Sequence, residues 1–508
     1  MLTFGEVAEH SSAHSCWVII HGRVYDVTQF LNSHPGGVKS ILRWAGKDAT
    51  EEYDPIHPAG AIERYLPRHC HLGPIDQSTL PAVISIPTKG PLQQQSDIMP
   101  LSTVMNLDGF EISAEKVINK RAWTYIHSAA DGLGSFNTNK DDWAKISLRP
   151  RILRDVTRVD MSRIVMGYPS SLPFFIAPAA MAKLAHPDGE LCLARGASHH
   201  DIPYCVSTYS SISHEELAAE LKAYGGGHRG CLMFQLYVAH QKDQTLKLIA
   251  MARELGFKAL AITVDTPVVG KREEDERYKA ELDLEIGSGD SSDLPSASNI
   301  PLVTAAERTV LRGVHSTSLN WDDLPWIREA WGDAGPVLIK GVQSAEDAKR
   351  AHNIGLDGIY LSNHGGRQID DGPSSIRTLL EIRRFCPEVL SSGMQIYLDG
   401  GCRRGTDIIK ALALGATAVG MGRPFLYALG AYGTEGVIRA IQCEYLAIVT
   451  ESILIVVIVL SDEIETTMRL LGVNSLSELN EDHINTMRLE MELPRRLSAF
   501  PSARRSKL

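Results

Sequence analysis

"VLIKGVQSAEDAKRAHNIGLDGIYLSNHGGRQ", residues 337–368, holds two short apolar runs, "VLIKG" (337–341) and "GIYLS" (358–362), on either side of an amphipathic segment. The runs have strand length, and "SAEDAKRAHNI" between them repeats its apolar residues at helical spacing, so the stretch reads strand, helix, strand. The alternation continues along the larger part of the chain. Further runs stand at "FFIAP" (174–178), "YCVS" (204–207), "LMFQLY" (232–237), "ALAITVD" (259–265), "QIYLDGG" (395–401) and "AVGMG" (418–422), with "SHEELAAELKAY" and "QTLKLIAMAREL" among the segments between. Eight such βα units indicate an α/β domain closed into a (β/α)8 TIM barrel, with an open Rossmann sheet as the alternative.

The polar residues fall where a barrel needs them. Gln235, Tyr237, Thr263, Asp265, Lys340, His364, Arg367, Asp399 and Arg423 all stand at or just past the carboxyl end of a strand run, which is the catalytic face of this fold. "LDGGCRRG" and "GMGRPF" end the last two runs, with glycines that let backbone N–H groups approach an anion and with Arg403 and Arg423 beside them. A phosphate site is expected there, and with it a mononucleotide cofactor or a phosphorylated substrate. By contrast "GGGHRG" (225–230) matches a dinucleotide fingerprint in letters only, because it precedes its strand.

His364 and Arg367 form the chemical core of "LSNHGGRQ". Histidine is a base for a proton on carbon or oxygen, and a guanidinium grips a carboxylate bidentately, which fixes the α-position of an acid. Asp265 would stabilise the imidazolium, and Lys340 would set a fixed positive charge in the same mouth, suited to a cofactor ring that gains negative charge.

These stretches, with "APAAMAKLAHPDGE", "QLYV" and "TVDTPVVGKRE", resemble the FMN-dependent α-hydroxy-acid dehydrogenase and oxidase family over roughly residues 105 to 480. The resemblance implies His364 as base with Asp265 as its partner, Arg367 and Tyr125 as carboxylate ligands, and Tyr237 on the substrate hydroxyl. Arg272 becomes a second positive charge carried on a mobile loop, about 270–318, whose irregular centre is "LEIGSGDSSDLPSASNIPL". Lys340 would face one edge of the flavin, Ser207, Gln235 and Thr263 would line its ring, and Ala179 lies beside them in place of the family's common threonine. Asp399, Gly401, Arg403, Gly422 and Arg423 would hold the ribityl phosphate. Ala129 replaces a common glycine near Tyr125. Tyr209 stands where leucine or tryptophan is usual, and with Ala180 it is expected to shape a pocket for a small side chain.

The front of the chain differs in character. "FLNSHPGGVKSILRWAGKDATEEYDPIHPAG" (30–60) contains His34 and His57, each followed by proline, without the cysteines or further close ligands that zinc requires. Together with "WVIIHGRVYDVTQF" upstream, it resembles the cytochrome b5 domain. That likeness implies a small α+β unit binding heme b between His34 and His57. Two axial histidines leave the iron no open position, so such a site carries electrons. Heme unit, linker and FMN barrel in this order resemble the flavocytochrome b2 family. The expected division is 1–75 for the heme domain, 76–104 for a linker rich in Pro, Gln, Ser and Thr, 105–485 for the barrel and 486–508 for a tail.

The function implied is oxidation of an L-2-hydroxy acid, L-lactate first, with electrons leaving through heme to a one-electron acceptor such as cytochrome c. A hydroxy-acid oxidase using oxygen and a non-catalytic heme carrier are the alternatives, and the family implies a homotetramer. A net charge of −10 argues against nucleic acid as partner. Eight cysteines without a C-x-x-C pair suit reduced thiols in an intracellular compartment. "ARRSKL" closes the chain, and Ser506-Lys507-Leu508 reads as a peroxisomal address, with the mitochondrial intermembrane space or cytosol as alternatives. "CEYLAIVTESILIVVIVL" (443–460) interrupts what otherwise reads as one last barrel helix. It is too short for a membrane span and contains Glu451, and it reads as a gene-model artefact such as a translated intron.

Overall fold

The computed structural model describes residues 1–34, 38–80, 98–224, 230–286, 315–442, 459–495 and 497. Outside them lie residues 81–97 of the linker, 225–229 of the glycine run, 287–314 of the expected mobile loop, 443–458 of the apolar interruption, and the terminal Ser-Lys-Leu.

At the front, strands Ser11–Ser12, Ser15–Ile20, Arg23–Asp26 and His71–Pro74 form an antiparallel sheet in that order. The two central strands turn through His21 and Gly22, both at positive φ, as a two-residue hairpin with the sheet's twist requires. Alternation puts Cys16, Val18, Ile20 and Tyr25 on one face and Ile19 and Val24 on the other. Both faces are covered. The short helices Val38–Leu42, Thr50–Tyr53 and Ala61–Tyr65 supply Ile41, Leu42, Tyr53 and Ile62 to the first, while Val7 and Ile75 close the second.

The larger unit is a closed barrel of eight parallel strands in chain order: Phe174–Ile176, Pro203–Ser207, Cys231–Leu236, Leu260–Thr263, Val337–Val342, Gly358–Leu361, Gln395–Leu398 and Ala418–Met421. The eighth strand pairs with the first, Val419 opposite Phe174. Each of the eight runs read from sequence became one of these strands. Phe175, Cys205, Met233, Ala261, Leu338, Tyr360, Tyr397 and Ala418 fill the interior, one from each strand, and the residues beside them face the outer helices. A hairpin, Arg163–Val165 with Tyr168–Ser170, closes the amino-terminal end, where the Met166 N–H donates to Tyr397 Oη at 2.6 Å. The opposite, carboxyl end is the face at which ligands bind in this fold.

Two local features add to the reading. The first part of the expected mobile loop is the helix Glu273–Ile286, whose acidic first turn suits its positive amino-terminal end. The sequence flanking the apolar interruption forms the helices Arg423–Ile441 and Leu460–Leu471, one on either side of it. The second lies on helix Gly405–Ala413 so closely that a Cβ at Gly405 would meet the Glu463 Cβ at 2.5 Å. Among the described residues, no helix is long and apolar enough to cross a membrane. Seven cysteines are described, all free and buried.

Candidate active site

The end of the sixth strand carries the central residue. His364 follows it with φ at 58°, a left-handed conformation, and its own N–H donates to Ser362 Oγ at 3.0 Å. This turn lifts the imidazole over the barrel mouth. Nδ1 lies 3.0 Å from Asp265 Oδ1, at the end of the fourth strand, and Tyr237 Oη lies 3.3 Å from Nε2. An ionised Asp265 only accepts hydrogen bonds, so the proton sits on Nδ1 and the Nε2 lone pair faces the phenol.

Electrostatics fix these states. Burial pushes the Asp265 carboxyl upward, but the Lys340 ammonium, His364 and the Thr266 hydroxyl outweigh it, leaving Asp265 well below the ordinary range. Its Oδ1 accepts from Thr266 Oγ1 at 2.9 Å, and Oδ2, without a hydrogen bond, lies 3.7 Å from Lys340 Nζ. Burial also lowers His364, against the pull of Asp265 and with help from Lys340 and Arg272. The free site thus holds a neutral base beside a carboxylate. Burial raises Tyr237 and Tyr125, which remain hydrogen-bond donors.

Arg367 is tied down more firmly than the sequence implied. Its Nη1 donates to the carbonyls of Tyr125 at 2.8 Å and Ser128 at 2.7 Å, and the guanidinium lies 5.1 Å from the Tyr125 ring. These carbonyls end the helix Lys120–His127, where orphan acceptors collect. Burial beside Arg272 and Arg423 pushes the Arg367 pKa well down, so an entering anion relieves crowded positive charge. Arg272 precedes the helix Glu273–Ile286, and its buried Nε has no hydrogen bond.

The remaining expected residues divide into two groups around the mouth. Ser207, Gln235 and Thr263 end neighbouring strands, with Gln235 Nε2 donating to Thr263 Oγ1 at 2.8 Å, and Ala179 follows the first strand. Lys340 Nζ donates to Ser362 Oγ at 3.2 Å, and Ser362 donates to Asp399 at 2.7 Å. Asp399 also accepts from Tyr360 Oη at 2.8 Å, which ties it to the Lys340 network. On the expected phosphate side Arg403 Nη2 donates to Glu111 at 3.1 Å, while its buried Nε makes no hydrogen bond. Arg423 donates to the carbonyls of Ile126 and Gly365 at 2.8 Å and of Ser128 at 2.9 Å, and burial with neighbouring Arg403 and Arg272 brings its pKa down to about 10.

These groups fit a flavin mononucleotide. Open space surrounds the position a Cβ at Gly422 would take, whereas at Gly401, with φ of 74°, a Cβ would lie 1.8 Å from the Asn139 carbonyl oxygen. One glycine leaves room for a ligand, and the other lets two backbones touch.

No motif of its own marks Thr266, Ser362 or His315. The first two adjoin Asp265 and His364 in "VDT" and "LSNH", and that neighbourhood is their only signal. His315 stacks on Tyr237 with centroids 4.2 Å apart, and its Nδ1 lies 3.4 Å from Tyr209 Oη. Burial pushes it down to about 4, so it is neutral at pH 7. Tyr209 stacks against Tyr237 at 5.4 Å, which places it beside the mouth.

In the front unit, the His34 and His57 rings have centroids 5.9 Å apart. Two imidazoles on opposite sides of one iron need a separation of about 6 Å, given metal–nitrogen bonds of about 2 Å. The pair fits axial heme ligation. His57 Nδ1 donates to the Tyr53 carbonyl at 3.0 Å and Ser40 Oγ lies 3.2 Å from His34 Nδ1, the kind of support that orients a ligating ring.

Two family models match the two parts of this chain. A family model described as FMN-dependent dehydrogenase matches residues 114–486, and one described as cytochrome b5-like heme/steroid binding domain matches residues 3–76. An L-lactate dehydrogenase (cytochrome) of Wickerhamomyces anomalus is 39% identical over 483 residues, spanning 94% of this chain and 79% of that protein. One of the same name from Saccharomyces cerevisiae is 36% identical over 502 residues, spanning 96% and 80%. A solved double mutant of flavocytochrome b2 with pyruvate bound matches with a TM-score of 0.66 at 34% identity, covering 79% of this chain and 92% of that one.

These relatives overturn the peroxisomal expectation. A peroxisomal (S)-2-hydroxyacid oxidase of Arabidopsis thaliana aligns over 76% of this chain and 98% of its own length, whereas the relatives aligned across nearly the whole chain are cytochrome-linked. A terminal tripeptide is a short signal, and two aligned domains outweigh it. The intermembrane-space alternative agrees with a cytochrome acceptor.

Proposed function

As a member of the FMN-dependent dehydrogenase family with a cytochrome b5-like heme domain at its front, the chain is an L-2-hydroxy-acid dehydrogenase, and we propose that L-lactate is its substrate and a cytochrome its acceptor. The observation that carries the reading is the placement of His364, between a buried carboxylate at 3.0 Å and a phenol at 3.3 Å. FMN, when bound, takes the two electrons of the substrate α-carbon, and heme b releases them singly.

The protein's own residues bind, orient and move the proton. Arg367, Arg272 and Tyr125 hold the substrate carboxylate, and Tyr237 meets its hydroxyl. His364 Nε2 removes a proton, and the resulting imidazolium is stabilised by Asp265, itself held by Thr266 and Lys340. Ala179, Ser207, Gln235, Thr263 and Lys340 would line the flavin. Gly401, Arg403, Gly422 and Arg423 would hold its phosphate end, with Asp399 acting through Ser362 and Lys340. His34 and His57 would ligate the heme iron. We divide the chain into a heme domain (1–75), a linker (76–104), the barrel (105–485) and a tail (486–508). We place it in a homotetramer on family resemblance, for which light scattering should give the mass of four chains.

Anaerobic stopped-flow mixing with L-lactate tests the whole scheme. Flavin bleaching is expected first and heme reduction second, with a soluble cytochrome reoxidising the heme faster than oxygen does. Direct reoxidation of the flavin by oxygen, with the heme lagging, overturns the dehydrogenase reading.

Tyr209, together with Ala180, narrows the end of the pocket that receives the substrate side chain. Tyr209→Leu should raise kcat/KM for 2-hydroxy acids with longer side chains relative to lactate by about tenfold, the scale of one or two methylene contacts. Unchanged ratios among glycolate, lactate and longer acids would remove Tyr209 from the pocket wall.

A further inference from the structure

We propose that the Arg121–Glu52 ion pair is a latch that holds the heme domain on the barrel in the orientation used for electron transfer. The pair bridges the two units in a fork: Arg121 Nη1 donates to Glu52 Oε2 at 2.9 Å, and Nη2 lies 2.9 Å from Oε1. The side chains are 23% and 24% exposed, so solvent screens this pair less than an ordinary surface pair.

Its position gives it a role. Arg121 lies on the helix Lys120–His127, which also carries Tyr125 and whose terminal carbonyls hold Arg367 and Arg423. Glu52 lies on the helix Thr50–Tyr53. The Tyr53 ring stacks on His57 with centroids 4.1 Å apart, and its carbonyl receives the His57 Nδ1–H. One ion pair therefore joins the helix that frames the substrate site to the helix that orients a heme-side histidine.

Weaker contacts surround it. Ile56, next to His57, packs against the barrel's hydrophobic cluster, Arg64 lies 3.2 Å from Glu215, and Arg43 donates to the Lys279 carbonyl at 3.4 Å. Apolar contact brings the faces together, and charge pairs fix their orientation. Arg121–Glu52 is less exposed than Arg64–Glu215, and it alone of these two pairs has fork geometry.

The proposal rests on the heme reading, and the test separates the two. The full-length holoprotein is compared with Glu52→Arg and with the double reversal Glu52→Arg/Arg121→Glu. In the single variant, heme reduction in the stopped-flow trace should slow about tenfold, the scale of a like-charge clash at an interface, while flavin bleaching keeps its rate. Hydrogen exchange should speed up in peptides covering 50–57 and 120–127. The double reversal should restore both to within about twofold, a rescue that general damage to the fold does not produce. Unchanged heme reduction and exchange in the single variant, or no rescue in the double, overturns the latch. A wild-type protein that purifies without heme sinks the heme reading instead, and the exchange measurement then decides on the latch alone.

Discussion

Replacing His364 with glutamine should lower kcat for L-lactate oxidation by about a hundredfold to ten-thousandfold, the usual worth of a positioned base, while the protein keeps its flavin absorbance. Glutamine can still hydrogen-bond to Asp265 and Tyr237 but has no basic nitrogen at neutral pH, so binding survives and proton removal does not. The loss should fall on kcat more than on KM, because Arg367, Arg272 and Tyr125 continue to hold the carboxylate. A variant within tenfold of wild type would show that the proton leaves by another route. The acid limb of the pH profile offers a second check on the same residue. His364 must be neutral to accept a proton, and burial depresses its pKa, so activity is present above that depressed value and is lost as pH falls through it. The wild-type kcat/KM should therefore hold below the ordinary histidine range near pH 6.5 before it drops. Asp265 pulls the His364 pKa upward, so Asp265→Asn should move the acid limb to still lower pH. It should also cut kcat heavily by removing the partner of the imidazolium. An acid limb that moves upward in Asp265→Asn contradicts this electrostatic account.

Much of this site was legible because barrel chemistry sits at strand ends, and strand ends can be read. His364, Asp265, Lys340 and Tyr237 each follow a β-branched or apolar run closely, and their convergence follows once the eight runs close into a ring. What the sequence could not show depends on contacts between distant segments. Arg367 and Arg423 look like free cations in "HGGRQ" and "GMGRP", yet both are anchored to carbonyls of a helix that ends nearly 240 residues before Arg367. Asp399 accepts from Tyr360 and Ser362, two partners at the end of another strand that its place in "LDGG" does not reveal. His315 has no neighbouring motif and enters the site only because Ala239 and His315 form a bridge that lays it on Tyr237. The tripeptide at the end was read correctly as letters and misleadingly as an address, since a targeting signal carries no packing by which the rest of the chain could check it.

The heme domain supports the other large effect. His57→Ala should remove heme b from the purified protein or leave it with an altered visible spectrum, and cytochrome reduction should fall on the order of a hundredfold or more, since even loss of a supporting residue around a metal costs about ten- to a hundredfold. The cause is local. His57 is held by the Tyr53 carbonyl at 3.0 Å and by stacking on the Tyr53 ring, so its imidazole is already oriented, and burial lowers its pKa, which keeps the ring neutral as iron ligation requires. Alanine supplies no nitrogen to face the His34 ring, whose centroid lies 5.9 Å from that of His57. Flavin bleaching by lactate should continue at the wild-type rate, because His364, Asp265 and Arg367 belong to a different core. The pair of readouts is what gives the variant its force. If heme content and spectrum survive in His57→Ala, the axial assignment is wrong even though the barrel chemistry stands. If flavin bleaching fails along with the heme, the two units depend on each other more deeply than a docked pair of domains allows.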